Sequence, residues 1–204
     1  MASAPILKLA CEKRRALLED LNYLNTAEIK SFCKQHAIPY RIVVETPDGR
    51  KWKTADDDRK GVILERIRHF LETGTVLAET CFRAGVVCFD PLPAKISPDD
   101  RLFYGQYDKA NPAMNALLKV LTKGRFQNGA IARILARKFW ARGEAPTFRQ
   151  FAAAWLRERD EHSRPNAEWA FLSDRTRGDA TPGWKKMRAK KAAEAIRVLG
   201  QITQ

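Results

Sequence analysis

This chain of 204 residues has no apolar run longer than a few residues, which excludes a helix that crosses a lipid bilayer. Residues 1–21 lack the unbroken apolar stretch of a signal peptide, because Lys13, Arg14 and Arg15 fall in their middle. A cytoplasmic protein is the expectation, with association with the nucleoid as one location for it. Histidine is scarce at three (His36, His69, His162), and the four cysteines (Cys11, Cys33, Cys81, Cys88) show no CxxC or other metal-ligand spacing. No GxSxG, HExxH, phosphate-binding loop or dinucleotide fingerprint occurs. The three consecutive carboxylates Asp56, Asp57 and Asp58 would point in different directions, which suits the start of a helix better than a metal ion. On these grounds neither a metal, a cofactor nor a catalytic residue is expected, and the chain is not expected to be an enzyme.

What the sequence has in surplus is positive charge. There are 37 Lys and Arg against 24 Asp and Glu, a net charge of +13. Residues 1–94 carry only +2 of it, and residues 95–204 carry +11. Clustered cations attract polyanions by releasing condensed counterions from phosphates. Ordinary solubility explains a basic surface equally well, so charge alone does not decide between them.

Periodicity and punctuation predict a mainly α protein. Helix is expected over residues 5–21 and again from Asn25, where Asn25 and Glu28 have capping-box spacing and Leu24 and Ile29 have that of a hydrophobic staple. Ile29, Phe32, Cys33 and Ala37 form its apolar stripe, and Pro39 closes it. Residues 41–54 read as a β-hairpin, with β-branched Ile42, Val43 and Val44, a Pro47-Asp48-Gly49 turn and a basic returning arm. A third helix is expected over residues 58–73, ended by Gly74, and a short strand over residues 86–89. Pro91, Pro93 and Pro98 mark a connector. Beyond it everything reads as helix: from Asn111-Pro112 to Gly124, over residues 129–142, and from a Thr147–Gln150 capping box. A short helix is expected from Asn166, and a last one opens at Thr181-Pro182, with Trp184, Met187, Ala195, Ile196 and Leu199 on its apolar side. The expected division is residues 1–90, a helix–loop–helix module with an inserted β-hairpin, and residues 91–204, a basic all-helical domain.

Within the first part, Leu24 to Lys30 supplies a leucine followed by an Ile29-Lys30 pair and closes on Ile38-Pro39. Arg59-Lys60 then precedes Ile63-Leu64-Glu65-Arg66-Ile67. On these residues the segment 24–71, about a quarter of the chain, resembles the SAP domain, a helix–extended loop–helix module that binds DNA. The chain departs from that pattern in its extra hairpin and in having Asp58 where a glycine precedes the basic pair. Residues 102–108 and 151–155 are similar to an uncharacterised helical region that follows such modules in some bacterial proteins.

The resemblance implies phosphate contacts from Lys30, Lys34, Arg59 and Lys60, the last two at a helix N-terminus that already favours an anion. Arg50, Lys51 and Lys53 on the hairpin extend the set, while Trp52 between them is expected to cover the core, its alternative being a platform for a base. Arg133 and Arg137 share the polar face of the helix at 129–142. Ile131, Ile134, Leu135 and Phe139 are expected to face inward there, and Trp140 to be covered by a neighbouring helix rather than to stack a base. Lys186, Lys190 and Arg197 lie on the polar face of the last helix, fringed by Lys185, Arg188 and Lys191. The expected partner is therefore DNA, or else RNA or a single strand, held through the backbone with weak sequence preference. The alternatives are an accessory subunit that docks another protein through its C-terminal helical part, and a nuclease-like enzyme.

Overall fold

The computed structural model describes residues 4–161 and 182–203; the helix expected from Asn166 lies outside them. The chain is mainly α-helical, with one small sheet. Among the described residues no helix is long and apolar enough to cross a membrane. Two compact units emerge, and both are discontinuous in sequence. The single boundary suggested near residue 90 is replaced by three crossings, at Tyr40/Arg41, Asp57/Asp58 and Glu79/Thr80, before the chain returns for its last helix.

The first unit holds α1 (Cys11–Asp20), α2 (Thr26–Gln35), α3 (Lys60–Thr73) and α7 (Pro182–Ile202). The helix expected over 5–21 is broken. A 3-10 turn at Pro5–Lys8 is followed by extended backbone at Leu9 and Ala10, and the Arg14 guanidinium donates back to the Leu9 carbonyl at 2.7 Å. The start of α2 forms as its residues dictate: Asn25 Oδ1 accepts from the Glu28 N–H at 2.9 Å, and Glu28 Oε2 accepts from the Asn25 N–H at 2.6 Å. Its end is less comfortable, since Ala37 takes a left-handed φ of 53° that glycine adopts more easily. Leu21, Leu24, Ile29, Cys33, Ile63, Leu64, Ile67 and Leu71 make the core, and Ala192, Ala195, Leu199 and Ile202 of α7 complete it. Met187 and Ile196, expected on the buried side of α7, are exposed instead, because the small alanines sit against the neighbouring elements.

Asp56, Asp57 and Asp58 do not begin α3. The first two belong to a strand, and Asp58 is buried, bonded at 2.7 Å to the equally buried Arg66. The same guanidinium donates to the Pro39 and Ala78 carbonyls, each at 3.1 Å. One side chain of α3 thus clasps the backbone before the hairpin, after it, and just short of the next departure.

The second unit holds β1 (Arg41–Glu45), β2 (Lys51–Asp57), β3 (Cys81–Phe82), α4 (Pro112–Leu121), α5 (Ala130–Ala141) and α6 (Phe148–Glu161). The hairpin forms as expected, although β2 runs on to Asp57, and the sheet order is β2-β1-β3 with β3 parallel to β1. No strand spans 86–89. The pairing falls at Cys81–Phe82, and Val86 is buried at the end of a 3-10 turn, Ala84–Val86. Asn111 caps α4 through the Met114 N–H at 2.9 Å, and Thr147 and Gln150 cap α6 reciprocally. The buried face of α5 is rotated from the expected one. Ala132, Leu135, Ala136 and Trp140 lie inside, while Ile131, Ile134 and Phe139 are only partly covered. Trp140 accounts for the rotation, because its indole N–H reaches the Leu102 carbonyl at 3.0 Å inside the core.

Candidate nucleic-acid interface

The charge asymmetry along the sequence disappears once the chain folds. Among the described residues the first unit carries 16 Lys and Arg against 9 Asp and Glu, and the second carries 18 against 12. Both units are therefore cationic, and the candidate residues divide between them.

In the first unit α2 places Lys30 half-buried, with its ammonium 5.9 Å from the centre of the Tyr40 ring, and Lys34 one turn on and exposed. Arg59 is the N-cap of α3. Lys60 follows it, but its ammonium bends back to the Asn22 carbonyl at 2.5 Å and so serves the packing of the unit. On α7, Lys186 and Lys190 are exposed, whereas Arg197 makes a two-pronged pair with Glu194 at 2.6 and 2.9 Å. That hydrogen bond holds the Glu194 carboxyl below its ordinary range. Two residues read only as a fringe prove structural. Arg188 pairs with Glu28 at 2.7 Å and Lys191 with Asp20 at 2.8 Å, the second contact raising the lysine pKa. His69 bonds the Thr75 hydroxyl at 2.9 Å.

In the second unit Arg137 is already engaged. Its guanidinium donates to the Asp57 carbonyl at 2.9 Å and stands 3.5 Å from the Asp56 carboxylate, fastening α5 to β2. Asp56 also accepts from the Tyr104 hydroxyl at 2.8 Å, and burial raises the pKa of that phenol. Arg133 is exposed and has no ion pair among the described residues. Arg50 turns back onto Asp48 at 2.5 Å but keeps most of its side chain in solvent. Lys51 and Lys53 are exposed and without an ion pair among the described residues.

The pleat separates what the sequence interleaves. Val43 lies opposite Lys53 and Glu45 opposite Lys51, while Trp52 lies opposite the buried Val44 on the other face. Trp52 is nevertheless 51% exposed, so it does not cover the core as expected. Beside it stands Phe89, 59% exposed, with the ring centres 6.3 Å apart. Between and around them lies a cleft of about 110 Å³, whose lining includes Val44, Thr46, Pro47, Trp52, Val87 and Phe89. A relay of rings supports it from within: Trp140 to Tyr104 at 5.5 Å, then Tyr104 to Phe89 at 6.2 Å. Sequence reading missed Phe89, since an apolar residue at the end of Val86-Val87-Cys88 resembles a strand interior. The Asp90-Pro91 that follows was the available sign that it lies at an edge.

Among the described residues no three His, Cys, Asp or Glu side chains converge as metal ligands. None of the four cysteines forms a disulfide among the described residues, and burial pushes the Cys33 thiol up to about 11, which keeps it protonated and unreactive. Comparison of the chain with models of known protein families, with curated proteins and with solved structures finds no match.

Proposed function

We propose that this protein binds nucleic acid through the phosphate backbone with weak sequence preference, and carries out no chemistry of its own. The observation that supports this best is the surplus of exposed cations that have no acidic partner among the described residues of either unit, with Lys34, Lys51, Lys53, Arg133 and Lys186 foremost. Solvated ammonium and guanidinium groups of this kind bind phosphate by displacing counterions. We further take α2 and α3 as a SAP-like pair, which makes DNA the first ligand to test, with Lys34 and Arg59 as its contacts. An accessory-subunit role is the second reading. It is favoured by Met187 and Ile196, which α7 leaves 40% and 47% exposed.

Fluorescence anisotropy with duplex DNA, single-stranded DNA and RNA over a salt series tests the proposal. Log affinity should fall linearly with log salt, and each phosphate contact removed from a duplex complex should reduce the slope by about 0.9. Changing Lys34, Arg59, Lys51 and Lys53 to alanine should weaken binding similarly for unrelated sequences. If no nucleic acid binds at low salt, the reading is wrong.

A further inference from the structure

We propose that Trp52 and Phe89 form a stacking site for one unpaired base of a single-stranded nucleic acid, whose sugar–phosphate chain follows the open edge of β2. This deepens the reading above and rests on it.

The two rings are the first argument. A single exposed aromatic is unremarkable on a protein surface, but two side by side around a cleft leave a flat apolar wall in water. Trp52 and Phe89 are both more than half exposed and tilted 35° to one another, which opens the space between them. Neither ring belongs to a loose segment. Trp52 is held in the ladder opposite Val44. Phe89 is backed by Gly105, whose φ of 96° and missing side chain let the Cys88 carbonyl and the phenyl ring approach where a Cβ would collide with both. Two backbone hydrogen bonds of 2.9 Å, from the Cys88 N–H to the Tyr104 carbonyl and from the Tyr104 N–H to the Val86 carbonyl, fix that side of the cleft.

The charge around the rings selects the occupant. β2 is an edge strand of the sheet. Thr46 N–H bonds the Arg50 carbonyl at 2.9 Å, which turns the backbone of Arg50 and Trp52 toward β1. By the alternation of an antiparallel ladder, the N–H groups of Lys51 and Lys53 then face the open edge. Trp52 is thus flanked along the strand by two ammonium groups and two edge N–H donors, with Arg50 one residue further. A polyanion running along the edge meets all of them, and its bases can turn over the edge onto the indole face. An aliphatic side chain from a protein partner would use the rings and leave the cations idle. A duplex keeps its base faces stacked inside, so the site selects unpaired strands.

The full-length chain is titrated with fluorescein-labelled oligothymidylate, with the same strand made abasic, and with a duplex. Stacking on an aromatic side chain contributes enough that Trp52→Ala should weaken oligothymidylate binding about 5- to 150-fold. Phe89→Ala should weaken it too, and Trp52→Phe should retain most of the affinity. The abasic strand and the duplex should bind wild type and Trp52→Ala alike, whereas Lys51→Ala with Lys53→Ala should weaken all three. Circular dichroism confirms that each variant is folded, and oligothymidylate should quench an indole signal that Trp52→Phe lacks. Equal oligothymidylate binding by wild type and folded Trp52→Ala overturns the stacking site and leaves the nucleic-acid reading standing. An equal loss on duplex and abasic strand also overturns it, because bases would then be irrelevant. So does self-association of the wild type that Trp52→Ala abolishes, since the occupant would be a second copy. Absence of binding to every nucleic acid removes the parent reading and this one together.

Discussion

Replacing Arg66 with methionine should strongly destabilise the first unit, although Arg66 is not one of the candidate interface residues. Methionine keeps the length and apolar stem of the side chain while removing its charge and its donors. It leaves the Asp58 carboxylate, 6% exposed, without its cation at 2.7 Å. It also takes the donor from the carbonyls of Pro39 and Ala78. Breaking a buried ion pair from one side costs about 3–5 kcal/mol, since the surviving charge stays out of water. Against a total stability of about 5–15 kcal/mol, that removes a large part of the margin. Urea unfolding followed by far-UV circular dichroism measures it. Arg66→Lys should fall between wild type and Arg66→Met, because an ammonium lacks the planar fork that serves three acceptors. Adding Asp58→Asn to Arg66→Met should recover part of the loss, giving a coupling above about 1 kcal/mol. A cost below about 1 kcal/mol for Arg66→Met, or strict additivity of the two changes, would refute the clasp.

Ala37→Gly should raise stability by about 1 kcal/mol in the same assay, by relieving a left-handed residue at the end of α2. Gly105→Ala should lower the melting temperature and disturb the Trp52 fluorescence, because its Cβ would displace the Cys88 carbonyl and the Phe89 ring. Leu199→Ala should cost about 2–5 kcal/mol, since the residue is 2% exposed in the core that α7 closes. His36 lies against Phe32 and Phe70 at 4.5 and 5.2 Å, and burial lowers its pKa. The unfolded chain therefore takes up this proton first, so His36 removes stability as pH falls below about 6.5 and stops doing so below its depressed pKa. Unfolding curves for wild type and His36→Phe should diverge across that window, and parallel curves would count against the assignment.

Local chemistry was legible in the sequence, and long-range partnership was not. The caps at Asn25, Asn111 and Thr147, the turn at Gly49 and the stop at Gly74 each depend on residues within four positions of one another, and all formed. Asp58 was misjudged because its partner lies two turns along α3 and shares its guanidinium with carbonyls at residues 39 and 78. The face of α5 was misjudged because an acceptor at Leu102, 38 positions earlier, draws Trp140 inward. Trp52 looked like a core residue by type, yet the strand it occupies is an edge. Of the candidate cations, Lys34, Lys51, Lys53 and Arg133 remain exposed as expected, whereas Lys60 and Arg137 are occupied in holding their units together.

The placement of α7 bears on how the molecule is made. The elements that hold its Ala192, Ala195 and Leu199 precede the second unit in the chain, and α7 follows it. The nascent helices α1 to α3 must wait, with an unfinished apolar surface, while the entire second unit is translated and free to fold. A stop codon just ahead of α7 would therefore release a product whose opening helices have no lid, and a cut near residue 90 would damage both units at once.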